Sequence, residues 1–392
     1  MYLNKKQESM LSGEDGEAIR KAMEILVALG DIYQAERLIP IKSAHLSGVS
    51  IKTAGEAGLD FIEEMADLGA KAKVKTTINP AGIDLDNWKS MNAPKNFSNK
   101  QIQMIEAYKK IGAEPTCSCI PYYINNKPSF GDHIAWAESS AVVYSNSVLG
   151  ARTNREGAPS ALASAITGLT PLHGYHKDEN RKGTVRIEVD NKIPQNGETF
   201  PYSVLGYWIG KEFPNDVPVI EGIKPNKSQK KALGAGLATS GAIALFHIPD
   251  ETPEAKRNPE LCKTNKRVTY GRNEAEKVVE ELDQTKDVDL IWLGCPHATI
   301  DEVKRVIERS SGERKAWICV PRKFKERLES GNLSEKIEEK GFKLIYDSCM
   351  VVSPLAEMGI SSIGVNSAKA AKYAPSLANV KVHFAPLKEL IK

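Results

Sequence analysis

Residues 287–310, "DVDLIWLGCPHATIDEVKRVIERS", begin as an apolar strand and end as a charged amphipathic helix, with Cys295, Pro296 and His297 at the changeover. Short apolar runs bounded by turn residues read as buried strands, and apolar positions at helical spacing read as a helix packed on them. The same alternation recurs in "AIALFHI" (242–248), "AWICV" (316–320), "KLIYDS" (343–348), "SSIGVN" (361–366) and "VKVHFA" (380–385). Strands alternating with helices build parallel βαβ units, so the fold class is α/β with mostly parallel sheets.

Upstream of that region the pattern is more mixed. "LSGEDGEAIRKAMEILVALGDI" (11–32) reads as a helix with Ser12 as a candidate cap. Residues 37–70 read as a strand, a Gly/Ser loop and a helix, and "KAKVKTTINPAG" (71–82) as a β-branched strand ending in an Asn-Pro-Ala-Gly turn. A helix follows in "NKQIQMIEAYKKIGA" (99–113). The next stretch, 114–168, is rich in Ser, Asn, Gly and Ala at helical periodicity. Two readings fit it: a tightly packed helix pair, or interior helices that offer hydrogen bonds to a ligand. "GTVRIEVDNKIPQNGETFPYSVLGYWIG" (183–210) reads as strands with turns, an added sheet. The expected division is an N-terminal α/β lobe over 1–230 and a C-terminal βαβ lobe over 231–392.

Composition narrows the function. The chain has 392 residues, 53 Lys and Arg against 50 Asp and Glu, and a net charge of +3. That balance does not suggest a nucleic-acid partner, and the basic run "KPNKSQKK" (224–231) has no interleaved aromatics to stack on bases. No run reaches the roughly 18 apolar residues of a membrane span, and the N-terminus lacks an apolar signal core. A cytoplasmic location is expected. Six cysteines in so long a chain are too sparse for a disulfide framework. Each is then core filler or a ligand.

Two of them stand out by position. Cys295 follows the strand "DLIWLG" and Cys349 follows "KLIYDS". In open α/β sheets ligands gather outside the carboxyl ends of strands. Cys117 and Cys119, in "PTCSCIPYY" (115–123), also close a short extended stretch. Cys262 sits in a charged loop and Cys319 inside the strand "AWICV", positions that suit structural roles. Thiolates on loops bind zinc or iron–sulfur clusters, and no paired C-x-x-C spacing of a structural zinc site occurs. Three distant cysteines can instead hold a cluster that leaves one iron without a protein ligand. Such an iron acts as a Lewis acid toward a substrate hydroxyl, which is dehydratase chemistry. Ser367 and Lys369 start a helix after "SSIGVN" and form a candidate anion site, unless Lys369 is a surface lysine without a role.

The motifs "HLSGVS" (45–50), "TTINPAG" (76–82), "CIPYY" (119–123), residues 131–157, "LGCPH" (293–297), "DSCMVVSPL" (347–355) and "VNSAKAAKY" (365–373) together resemble the aconitase X family over nearly the whole chain. The resemblance implies an aconitase-like, multi-lobed α/β/α architecture around a central cluster cleft, lacking the swivel domain. It implies a hydro-lyase, with (R)-5-phosphomevalonate converted to trans-anhydromevalonate 5-phosphate as the expected reaction. An iron–sulfur cluster, with [4Fe-4S] the expected type, would be held by Cys119, Cys295 and Cys349, with Cys117 as a rival for the first place. Substrate contacts carry over to Gly48, Val49, Ser50, Asn79, Pro80, Glu138, Ser139 and Lys369, with Arg152 and Arg155 in reserve for an anionic end. The resemblance also implies a partner, a small subunit carrying the swivel domain and the serine base.

Rival readings are a cis-3-hydroxyproline or other hydroxy-acid dehydratase, and an electron-transfer iron–sulfur protein that would need a fourth cysteine. "GAGLATSG" (234–241) prompts a dinucleotide-binding reading, but a charged, helix-like stretch precedes it where that motif needs a strand.

Overall fold

In this computed structural model, which describes residues 1–190, 197–310 and 314–392, four short sheets organise the chain. The N-terminal region contributes β1 (Leu38–Pro40), β2 (Ser43–Leu46), β3 (Lys75–Ile78), β4 (Ala135–Trp136) and β5 (Leu169–Pro171). β1 and β5 pair antiparallel, while β3, β2 and β4 form a parallel sheet in that order. The middle region carries β6 (Val185–Val189), β7 (Pro218–Glu221) and β8 (Arg267–Tyr270), a parallel sheet of order β7-β6-β8. The C-terminal region carries β9 (Leu290–Leu293), β10 (Ala316–Val320), β11 (Phe342–Tyr346), β12 (Ser362–Val365) and β13 (Lys381–Phe384). Their order, β11-β10-β9-β12-β13, is wholly parallel and reverses direction between β9 and β12. That reversal opens a crevice at the carboxyl ends of those two strands. Cys295 and Lys369 lie on the segments that leave them.

Local chemistry sets the helix starts that face this crevice. Ser50 caps the helix Ile51–Asp67 by accepting from the Lys52 amide, and Ser367 caps Ala368–Leu377 by accepting from the Ala370 amide. Gly48 holds φ of +83°, a left-handed conformation that lets β2 turn sharply into that first helix. Gly294 has φ of +90° and packs so closely that a Cβ would lie 2.3 Å from the Cys319 carbonyl oxygen. The strand β9 can therefore turn tightly into Cys295 only through glycine.

Three expectations need correction. Residues 243–248 are buried but form no strand, and Ala242 before them is exposed and left-handed at φ of +52°, closing the preceding helix; His247 makes only an isolated bridge to Val219. Among the described residues of the stretch 183–210, only β6 is a strand, and "FPYSVLGYWIG" is the start of the helix Phe200–Glu212. That helix lies against Lys227–Gly241 with Gly206 and Gly236 at the contact, where an added Cβ would meet partner backbone within 2.6 Å. Residues 191–196 of that stretch lie outside the described residues. Finally, Ser12 ends a first helix, Lys5–Ser12, and Gly16 precedes the second, Glu17–Ile32. The expected junction at 230/231 falls within the helix Lys227–Gly241. Among the described residues no helix is long and apolar enough to cross a membrane.

The core beneath the N-terminal sheet contains a fully buried imidazole. His45 on β2 bonds Thr77 Oγ1 through Nδ1 at 2.8 Å, and its edge meets the Trp136 ring. Burial pushes its pKa from the ordinary 6.5 down to about 4. Its protonation therefore favours the unfolded chain. Stability from this group is complete above pH 6.5 and is lost as pH falls toward 4, by about 3 kcal/mol in all. The melting temperature is expected to drop across that window, and to drop less in His45→Asn; parallel curves for the two proteins would refute this origin.

Candidate active site

The carboxyl ends of β2, β3 and β4 face those of β9, β11 and β12 across one cavity of about 240 Å³. From the N-terminal sheet come Ser47, Gly48, Val49, Ser50 and Thr53 after β2, Asn79 and Pro80 after β3, and Glu138 after β4. From the C-terminal sheet come Gly294, Cys295 and Pro296 after β9, Cys349, Val351 and Val352 after β11, and Lys369 after β12. Cys119 completes the wall from the segment after the helix Lys95–Lys110.

Backbone bonds stitch the two sides together. The Ala81 amide donates to Asp347 O at 2.9 Å, and the Cys349 amide donates back to Ala81 O at 3.2 Å. Ser50 Oγ donates to Val352 O at 3.3 Å and Lys52 Nζ to Ser353 O at 3.0 Å. Arg322 adds a clasp, donating from Nε to Asp347 Oδ2 at 2.8 Å and from Nη2 to Asp84 Oδ1 at 2.9 Å. A guanidinium shared by two carboxylates fixes both loops in one plane. So the Asn79–Pro80 loop and the Cys349 loop are held in a common frame.

The polar centre is a buried ion pair. Lys369 Nζ contacts Glu138 Oε1 and donates to Ser139 Oγ at 3.3 Å. Glu138 also accepts from Asn79 Nδ2 at 2.6 Å and Ser140 Oγ at 2.9 Å. Burial alone would raise the Glu138 carboxyl, but Lys369 and these donors outweigh it and hold it at about 2. The carboxylate also fixes the Asn79 amide, whose Nδ2 must face it. That leaves Asn79 Oδ1, fully buried, without a hydrogen-bond partner. A buried acceptor left bare costs roughly 1–3 kcal/mol, and here it stands beside a cavity that can take a ligand donor.

The six thiols separate by environment. Cys119, Cys295 and Cys349 line the cavity. Cys117 does not; it is fully buried, at φ of +42°, on the side toward Asp347 and Arg322. Cys319 accepts from the Trp292 indole at 2.8 Å within the core and does not line the cavity. Cys262 packs apart, against Val219 and Ala255. Burial pushes all three cavity thiols up, Cys349 to about 12. The protein's own groups therefore leave them as thiols, whereas a metal bound among them deprotonates them outright.

The donor set fits an iron–sulfur group. Among the described residues no His, Cys, Asp or Glu cluster converges on a single ion. Three thiols spread around a cavity wall suit a cluster, which holds its cysteines farther apart than one tetrahedral ion does. With three ligands rather than four, one iron would remain open to the cavity.

Other residues fall outside. Ser139 touches Lys369 but does not line the cavity. Ser367 faces a second cavity of about 50 Å³ that shares Gly294, Cys295 and Pro296 with the first. Arg152 pairs with Asp178 and Arg155 is exposed; neither lines the cavity, so both leave the set of anion-binding candidates. Sequence reading missed Ser47, Thr53, Val351 and Val352. Thr53 was findable, because it stands one helical turn beyond the cap Ser50.

Two facing α/β units with strand ends, a lysine–glutamate pair and three thiols around one cavity define an aconitase-type dehydratase scaffold. The chain belongs to the aconitase X family, whose first, second and third domains match residues 1–179, 183–280 and 288–392. Within that family it is 47% identical to the phosphomevalonate dehydratase large subunit of Thermococcus kodakarensis, covering 95% of each chain. It is 44% identical to the subunit of that name from Methanocaldococcus jannaschii, over the whole of both chains. The cis-3-hydroxy-L-proline dehydratase of Pseudomonas aeruginosa is 34% identical, and this chain spans 67% of it. The crystal structure of the holo form of Thermococcus kodakaraensis aconitase X matches with a TM-score of 0.92 at 45% identity, covering 100% of this chain and 99% of that one.

Proposed function

We propose that this chain is the larger subunit of a hydro-lyase that dehydrates (R)-5-phosphomevalonate to trans-anhydromevalonate 5-phosphate. One observation carries the reading: three thiols and the Lys369–Glu138–Asn79 set meet in a single cavity. The likeness to phosphomevalonate dehydratase large subunits over full length supports this substrate over hydroxyproline.

Cys119, Cys295 and Cys349 would hold an iron–sulfur cluster of the [4Fe-4S] type. When bound, it supplies an open iron that helps a substrate hydroxyl leave as hydroxide. Lys369 has three donors, of which Glu138 and Ser139 take two. The third is available to an anionic end of the substrate. Asn79 Oδ1 accepts from a substrate hydroxyl and so orients it. The turn Gly48–Val49–Ser50 brings backbone amides to the cavity wall, where they can donate to phosphate or carboxylate. Glu138 keeps Lys369 and Asn79 in place and does not act as an acid, being held ionised.

The names of the relatives speak of a large subunit, which implies a smaller partner chain. In this reading the partner carries the swivel domain and closes the cavity against water. The test is an anaerobic assay of the iron-loaded chain, with and without the small subunit, on (R)-5-phosphomevalonate and on cis-3-hydroxy-L-proline. Turnover of the phosphate ester only by the pair is the expected result. Full activity from the large chain alone, or a preference for hydroxyproline, overturns it.

A further inference from the structure

His297 touches all three loops that carry the cavity thiols. It stands two residues after Cys295, and its backbone amide donates to Cys119 Sγ at 3.2 Å. Its ring Nε2 lies 2.8 Å from the carbonyl oxygen of Ser348, the residue before Cys349. A carbonyl only accepts, so Nε2 carries the proton and donates. Nδ1 is buried and has no partner, which leaves it bare. The side chain is fully enclosed, at 1% exposure.

The turn bearing His297 is gripped from behind as well. Lys231, itself 3% exposed, donates to His297 O at 2.8 Å and to Glu302 Oε2 at 2.6 Å. Glu302 in turn accepts from the Thr299 amide at 2.8 Å. The main chain around His297 is thus anchored to the helices Lys227–Gly241 and Ile300–Arg309, and its ring and amide reach outward to the other two loops. Cys119 lies in the first family domain, and Cys295 and Cys349 in the third. The His297 amide bond to Cys119 therefore crosses from the third domain to the first, beside the other bonds that stitch the two sides, and the ring bond to Ser348 O ties the Cys295 and Cys349 loops to each other within the third.

We propose that His297 is a positioning residue that sets the mutual spacing of the three cluster ligands; this rests on the cluster reading given above. Partners that orient metal ligands from behind cost about 10–100-fold in metal affinity when lost. The bond from the His297 amide to a ligating sulfur also bears on the cluster's reduction potential, which such bonds tune.

The test uses the full chain, reconstituted anaerobically with iron and sulfide, and measures the rate of iron loss to a chelator together with apo-protein melting. His297→Leu and His297→Asn remove the donor to Ser348 O, the first with bulk kept and the second with polarity kept. Both are expected to lose iron about 10-fold faster or more. His297→Gln, whose amide N–H reaches as far as Nε2–H, is expected to stay close to the wild-type rate. A merely structural role would lower apo melting and leave iron loss from the folded protein unchanged. Folded Leu or Asn variants that hold iron like the wild type overturn the proposal, as does a Gln variant that loses it as fast as Leu. A wild-type chain that takes up no iron overturns the cluster reading instead.

Discussion

Replacing Cys119, Cys295 or Cys349 singly by serine is expected to strip iron and sulfide from the anaerobically purified chain. Dehydratase activity of the assembled enzyme should fall with it, by more than the roughly 100-fold that loss of an outer-shell partner costs. A serine hydroxyl is a harder and less acidic donor than a thiol, so it does not replace a thiolate toward iron–sulfur groups. The controls lie on the same chain. Cys262→Ser and Cys117→Ser alter thiols that do not line the cavity, and Cys319→Ser keeps an acceptor for the Trp292 indole. These three should retain iron, as read by chemical analysis and an EPR spectrum. Iron lost from Cys117→Ser but kept by Cys119→Ser would show that the ligand set is wrong.

Why some of this was legible in the sequence, and some was not, follows from the range of the interactions. Cys295 and Cys349 announce themselves because strand periodicity is local: each sits where an apolar run stops. The parallel α/β class follows from the same local alternation. The reversal between β9 and β12, which opens the crevice, depends on which strands pair, and pairing is non-local. "AIALFHI" misleads because an apolar run reports burial, and residues 243–248 are buried without a ladder. "FPYSVLGYWIG" misleads because its aromatics favour strands, while Gly206 and Gly210, one helical turn apart, mark a close helix contact. Lys231 and Arg322 carry no motif of their own, and His297 closes the motif "LGCPH" without a sign of what it joins. Their importance lies in which distant loops they join, and only the folded chain shows that.

Lys369→Met is expected to damage the protein in two separable ways. The first is stability. Glu138 is 7% exposed, and removing its cation leaves a buried carboxylate whose remaining partners are neutral. Breaking one side of such a pair costs about 3–5 kcal/mol, whereas replacing both sides is often nearly neutral. The melting temperature should therefore fall in Lys369→Met and recover in the double variant Lys369→Met/Glu138→Gln. The second is function. If Lys369 offers its third donor to an anionic substrate, the double variant regains stability but not turnover. A charge-assisted hydrogen bond contributes about 1.5–3 kcal/mol, so kcat/KM should remain about 10–100-fold low. Lys369→Arg keeps the charge but replaces the compact ammonium with a planar fork of different donor geometry; partial activity is the expected result. Full activity in the double variant would reduce Lys369 to a counter-ion of Glu138 and remove it from the substrate site.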